Sequence, residues 1–339
     1  MTLSISTYHD PSVFEELAGE WNELLNRSAA NIPFLTLQFQ RVWWRYLGDG
    51  ELLVVTMRDG GELIGIAPLF VAKNAEGERV VATIGCVEVA DYLDLIAAEG
   101  WEQDVYAALV DYLTWPEAPT WDALSLCNIH QDSPTLTMLP PLAQAQGWTV
   151  SIAREDVCPV AQLPPTWDEY LLTLNKKHRH ELRRKLRRAE AEGELNWYVV
   201  GPEHDLAEEV EAFLDLMARS APEKADFLTT QMRSFFRQLA RVTYDAGWLQ
   251  LSFLEVDGHK VATYFDFVYA GRVMVYNSGL EWEEYPQLSA GIVLAAYNIR
   301  RAIEQGIEVF DFMQGDERYK YHLGGQDVEV RRLTIRKAQ

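Results

Sequence analysis

The chain has 339 residues, 48% of them apolar and 12% aromatic, and a formal net charge of −21. That length suits two domains with sizeable cores, and such acidity excludes a general affinity for DNA or for anionic membrane surfaces. Cys86, Cys127 and Cys158 are widely spaced with no C-x-x-C pair. They are expected to be small buried apolar residues, with neither a disulfide framework nor a zinc site. The start of the chain lacks the basic-then-apolar layout of a signal peptide. The longest apolar run, residues 63–72, is far too short to cross a bilayer. A cytoplasmic protein without a membrane span is therefore expected.

In chain order, residues 3–7 suit a short strand. Residues 11–26 suit an amphipathic helix with Phe14, Leu17, Trp21, Leu24 and Leu25 on one side. A turn at Pro33 and a Trp-rich helix over 37–47 follow, ended by Gly48 and Gly50. Residues 52–58 and 62–72 form a hairpin around Asp59-Gly60-Gly61, with Pro68 implying an edge or a bulge. Short strands over 79–85 and 92–97, a helix over 103–113 and a buried strand over 123–127 complete the first half. Pro159, Pro164 and Pro165 mark a link.

In the second half, residues 176–188 read KKHRHELRRKLRR, eight Lys or Arg against a single Glu. Leu182 and Leu186 share a face, so this is a helix with a narrow apolar stripe. It is either a solvated basic helix balancing the acidic remainder or an anion-binding wall. Residues 203–217 and 224–244 suit core-packing helices able to roof a groove. Residues 250–256 and 260–269 form a second hairpin around Asp257-Gly258, and 272–278 a third strand. TMRDGGELIGIAPLF and FLEVDGHKVATYFDF align turn to turn, offset by about 200 residues. The order hairpin, strand, helix, strand thus occurs twice, which points to duplication of one α/β unit.

Residues 285–323 organise the rest. Ser289, Ala290 and Gly291 open a helix whose apolar residues recur at three- and four-residue steps to Gly306. A buried strand over 307–313 and the polar, aromatic stretch DERYKY follow. A helix start rich in small residues presents free N–H groups and a positive dipole end, which suits a phosphate. The first-half helix instead begins with Glu102 and Asp104, which would repel one.

This pattern resembles the GNAT acyltransferases of the FemAB/CelD-like branch. The matching positions are Gly291 to Leu294, Gly306, Phe310-Asp311-Phe312, Gly315 and Tyr319-Lys320. The resemblance covers 170–322 well and the remainder loosely. It implies tandem duplicated GNAT-like units, each a mixed, mostly antiparallel sheet flanked by helices. Residues 1–160 form a unit without cofactor and 166–339 a unit carrying the donor site. The implied donor is acetyl-CoA or another acyl-CoA, with no metal, and the implied acceptor is an amine of a small molecule, amino sugar or amino acid. Tyr276, Asn277 and the turn Leu288, Ser289, Ala290, Gly291 and Ile292 are expected to hold the donor. Arg183, Arg184 and Arg187 are expected to hold anionic groups.

Acyl transfer to an amine needs a base, an oxyanion donor and an acid for the leaving group. Asp311 or Asp316 suits the base, Lys320 the oxyanion and Tyr319 the acid. No Ser or Cys is evidently poised for covalent catalysis, so direct transfer is expected. A rival within the fold takes aminoacyl-tRNA as donor, like the Fem-type transferases. The overall acidity and the absence of a long helical-hairpin insertion count against it. A third reading is a binding protein without activity. It is motivated by Gln287 being followed by Ala290 and Gly291, where the usual pyrophosphate signature is Q/R-x-x-G-x-G/A.

Overall fold

A computed structural model describes residues 3–86, 89–281 and 285–337. The chain divides into two compact units, Met1–Asp156 with Val328–Gln339, and Val157–Asp327. The sequence put the whole C-terminal tail with the second unit, whereas its packing groups residues 328–339 with the first.

In the first unit, β1 (Ser4–Tyr8) precedes two short helices, α1 (Val13–Glu16) and α2 (Trp21–Leu25), where one continuous helix was expected. Helix α3 (Leu37–Leu47) starts at Thr36, whose side chain accepts from the Phe39 N–H. Then come β2 (Glu51–Asp59), β3 (Glu62–Lys73), β4 (Arg79–Thr83), β5 (Ile96–Ala97), α4 (Glu102–Tyr112), β6 (Ala123–His130), α5 (Thr135–Ala145) and β7 (Thr149–Gln162). Pro68 lies in the gap between the two partners of β3 on one edge: β5 pairs at Gly65 and Ile66, and β4 pairs from Leu69. A missing N–H costs no ladder bond in such a gap.

The second unit holds α6 (Trp167–Thr173), α7 (Lys176–Glu192), β8 (Leu195–Val199), α8 (Leu206–Ser220), α9 (Pro222–Phe227) and α10 (Thr230–Asp245). It continues with β9 (Leu249–Val256), β10 (His259–Tyr269), β11 (Arg272–Leu280), α11 (Ala290–Glu304), β12 (Val309–Asp311) and α12 (Arg318–His322). Strand β13 (Gln326–Arg336) ends the described chain. Strand β7 runs straight through Pro159, so the proposed link is a strand. The helix expected over 224–244 breaks at Leu228 and restarts at Thr229, whose side chain accepts from the Met232 N–H.

Pairing makes the duplication explicit. Strands β1, β2, β3 and β4 are antiparallel neighbours, β4 pairs β6 in parallel, and β13 closes antiparallel on β6. Strands β8, β9, β10 and β11 repeat this, with β12 parallel to β11 and the end of β7 antiparallel on β12. Both hairpins turn on two residues with positive φ, Gly60 and Gly61 in one, Asp257 and Gly258 in the other. Such turns match the twist of paired strands.

One face of the second sheet packs on α11 through Val261, Val273, Val275, Val293, Leu294 and Ile299. The aromatics Phe213 of α8 and Phe236 of α10 meet Phe265 of β10 within 6.1 Å between ring centres. Each such side chain contributes roughly 1.5–3 kcal/mol by leaving water. Cysteine usage needs correction. Cys86 and Cys127 form a disulfide, their Cα atoms 5.9 Å apart, and Cys158 is a buried thiol. The turn after β4 returns beside β6, a proximity that spacing along the chain does not reveal.

Candidate active site

Strand β12 reaches only Met274 on β11. Beyond it, residues 275–280 have no strand partner on that edge among the described residues. A cavity of about 300 Å³ opens beside this splayed end. Ser278, Leu280 and Glu281 form one wall, Tyr285, Pro286 and Ser289 to Ile292 another, and Tyr264 of β10 and Tyr319 of α12 line it too.

The first turn of α11 has an unusual start. Ser289 takes the left-handed conformation, φ 57°, and its side chain caps nothing in the helix. No backbone carbonyl among the described residues takes the N–H of Ser289, Ala290 or Gly291. Those donors and the helix dipole favour an anion. Gly291 sits close to the Leu280 side chain, which would have to turn aside for a larger residue. A Cβ there would lie 2.8 Å from a Leu280 methyl carbon, and both residues line the cavity.

Two cations of α7 reach this turn. Lys185 Nζ donates to Ser289 Oγ at 2.8 Å, and Arg188 donates to the Gln287 carbonyl at 3.1 Å. Burial holds the Lys185 ammonium below its ordinary pKa, and Arg184 and Arg188 add to the effect. An anion beside it would relieve that. Nearby, the His178 and His322 rings lie 4.0 Å apart. Burial first, then His178, Arg318, Lys177 and Lys185, depress the His322 pKa. Lys185 and Arg188 thus bring positive charge to the turn that borders the cavity.

Two phenols also line the cavity. Tyr264 and Tyr319 are hydrogen-bonding partners, and the Tyr264 hydroxyl also lies 3.3 Å from the Gly291 carbonyl oxygen. Burial, with help from Glu317, pushes the Tyr319 phenol well above its usual range, against the pull of the Tyr264 hydrogen bond. Burial, with Tyr319 and Asp266, does the same to Tyr264. Both keep their protons at neutral pH. The Glu281 side chain is 17% exposed and pairs with Arg219 at 3.2 Å.

The residues singled out from sequence divide accordingly. Ser289, Ala290, Gly291, Ile292 and Tyr319 meet at the cavity. Leu288 is fully buried in the core beneath. Tyr276 packs against Phe236, Phe265 and Phe267, on the sheet face covered by α8 and α10. The Asn277 side chain accepts from the Ser278 N–H at 3.2 Å. Asp311 is buried and accepts from the Met313 N–H at 2.8 Å, closing a turn in which Met313 has φ 57°. Asp316 is exposed. Lys320 is 3% exposed and donates to the carbonyls of Met313, Gln314 and Gly315, at 2.7–3.1 Å, while pairing with Glu317 at 2.8 Å. Its three protons are thus committed to the loop.

On α7, Arg183, Arg184 and Arg187 point to solvent, and Arg184 is held by Glu181 at 2.7 Å. Lys185, Tyr264, Ser278 and Glu281 escaped the sequence reading. For Lys185 a signal existed, since it lies three residues after Leu182 and four before Ala189, both buried. Its phase therefore points inward. Among the described residues no cluster of His, Cys, Asp or Glu suits a metal, and no helix is long and apolar enough to cross a membrane.

Residues 176–321 match the acetyltransferase (GNAT) domain family. No curated protein matches the chain in sequence. Among solved structures, FemX is similar over 97% of this chain and 96% of its own, with 12% identity and a TM-score of 0.66. The C-terminal domain of a putative lysylphosphatidylglycerol synthetase from Agrobacterium fabrum is similar over 96% of this chain and 92% of its own, with 13% identity and a TM-score of 0.57. A tandem GNAT protein from the clavulanic acid biosynthesis pathway is similar over 99% of this chain and all of its own, with 14% identity and a TM-score of 0.52. At such identities the likeness is one of fold. The chain thus carries a match to the GNAT-type acetyltransferase domain over residues 176–321 and shares the fold of FemX and of the tandem GNAT protein.

Proposed function

We propose that the second unit moves an acyl group from acyl-CoA onto an amine of a small molecule, amino sugar or amino acid. The observation that carries this is the open first turn of α11, with Lys185 held on Ser289 beside a cavity that two phenols also line. The donor diphosphate rests on the N–H groups of residues 289–291, and Lys185 and Arg188 neutralise it. The thioester extends along the unpaired end of β11. The amine nitrogen attacks the carbonyl carbon, the carbonyl electrons move to oxygen, and a C–N bond forms. Glu281, rather than Asp311 or Asp316, takes the proton that nitrogen sheds. Collapse breaks the C–S bond, and the departing thiolate takes the Tyr319 proton.

Thermal shift with acetyl-CoA, longer acyl-CoAs and free CoA tests the donor. A site filled at a hundredfold excess over Kd stabilises by about 2.7 kcal/mol. Gly291→Asp drives a side chain against Leu280 and a carboxylate against the diphosphate, so acetyl-CoA affinity by isothermal titration falls at least tenfold. Unchanged affinity in the folded variant moves the donor elsewhere.

A second reading takes aminoacyl-tRNA as donor, and the solvent-facing Arg183, Arg184 and Arg187 favour it. The two readings separate by salt. If only Lys185 and Arg188 meet the donor, Lys185→Glu raises the KM for acyl-CoA about tenfold and reversing Arg183 with Arg187 changes little. If RNA is the donor, reversing Arg183 with Arg187 weakens it and flattens the dependence of binding on log salt by roughly two units. Nitrocellulose filter binding across a salt series measures that slope.

A further inference from the structure

Helix α9 has no fully buried residue, yet Lys224 on it turns inward. Its Nζ donates to the Ser278 carbonyl at 2.6 Å. Ser278 belongs to the unpaired end of β11 and to the cavity wall, so this ammonium stands one hydrogen bond from the cavity. Its other two N–H bonds have no acceptor among the described residues, although an ammonium carries three donors. Burial depresses its pKa, and Glu317, on the loop that leads into Tyr319, opposes that shift without reaching ion-pair distance. A mostly buried cation with two unspent donors costs stability unless something fills its shell. The neighbouring cations are spent differently: Lys320 on its loop, Lys185 and Arg188 on the α11 turn.

We propose that Lys224 is a catalytic residue that donates a hydrogen bond to the carbonyl oxygen of the bound acyl group and carries the oxyanion formed there. This rests on the cavity being the acyl-donor site. When the amine attacks, the carbonyl electron pair moves onto oxygen, and a fixed ammonium beside it gains attraction as that charge grows. The charge returns to form the carbonyl again as the C–S bond breaks and the thiolate departs. Lys224 is never deprotonated in the cycle. It stabilises the transition state more than the ground state, so it acts on kcat. The bond to Ser278 holds it at the splayed end of β11.

The alternative is that Lys224 only ties α9 to β11. Glutamine distinguishes the two, because it can still donate to Ser278 but carries no charge. The probe reaction is acetyl-CoA with hydroxylamine, read as free thiol, alongside acetyl-CoA affinity by titration and a melting curve. Lys224→Gln is expected to keep the melting temperature and acetyl-CoA affinity and to lose about a hundredfold in kcat, the usual loss of one oxyanion donor. Lys224→Arg is expected to recover at least tenfold of that. A wild-type kcat in Lys224→Gln, with affinity intact, overturns the role of Lys224 and leaves the cavity reading standing. Wild type that binds no acyl-CoA overturns both. Should Lys224→Gln melt early, the contrast of Lys224→Arg with Lys224→Met at a temperature where both are folded decides: equal rates overturn the role.

Discussion

Replacing Tyr319 by Phe is expected to lower kcat by about a hundredfold while acetyl-CoA affinity stays within a factor of two. The substitution removes one hydroxyl and keeps the ring that packs edge-on to Phe312, their centres 6.3 Å apart. What disappears is the proton. Burial holds the phenol protonated across the neutral range, so the group is always ready to give rather than take. A thiolate leaving an acetyl group needs such a donor, and general acids of this kind contribute roughly 10²–10⁴-fold. Tyr264 supports the arrangement, because its hydroxyl bonds to that of Tyr319. Thiol release under saturating acetyl-CoA and hydroxylamine measures the effect. A wild-type rate in Tyr319→Phe means that water releases the thiolate.

The second large effect is on stability. Lys320→Met is expected to cost about 3–5 kcal/mol, the range for stripping one partner from a buried charge arrangement. The ammonium holds three carbonyls of the turn between β12 and α12. Methionine fills the space but leaves those oxygens without a donor in a site closed to water. Loss at that scale lowers the melting temperature by roughly 2–4 °C per kcal/mol in a unit of this size. Because the loop carries Tyr319, hydrogen exchange at residues 313–320 should quicken well before global melting. Unchanged melting and exchange would mean that the carbonyls find other donors, and that the lysine serves the ligand instead.

How far the sequence was legible depends on the range of the interaction. The hairpins at Gly60 and Asp257, the helix from Ala290 and the small-residue turn before it follow from local periodicity and turn chemistry. The α/β duplication follows from repeating that local order. Tyr319 and the residues 289–292, distant in sequence, line one cavity. Lys320 has the residue type of an anion holder, but its place in the loop spends its protons on backbone, and only three-dimensional satisfaction of donors shows that. Tyr276 lies on the face opposite Val275 by simple alternation, and it is Ser278 that the register slip of β11 between Phe265 and Asp266 of β10 brings to the cavity face. A slip of that kind moves a side chain from one face to the other and leaves no mark in composition. The disulfide partners, Glu281 and Lys224 depend on which segments return beside one another.

Strand β13 completes the first unit with residues from the far end of the chain, Val330 beside His130 and Arg336 beside Ala123. Synthesis runs from the other end. A nascent chain that has delivered all of Met1–Asp156 still shows β6 with one side of its backbone unpaired, and it keeps that side open while the whole second unit emerges. The second unit has no such wait, since the part of β7 that closes it is made first. The later-made half therefore completes its sheet before the earlier-made half can. Until then β6 is a free edge, the kind of template on which neighbouring chains pair. Bringing residue 336 back to residue 123 is also a long-range closure, and contacts of that separation form slowly. Shortening the chain by its last dozen residues would thus be felt at its opposite end, as aggregation of the first unit.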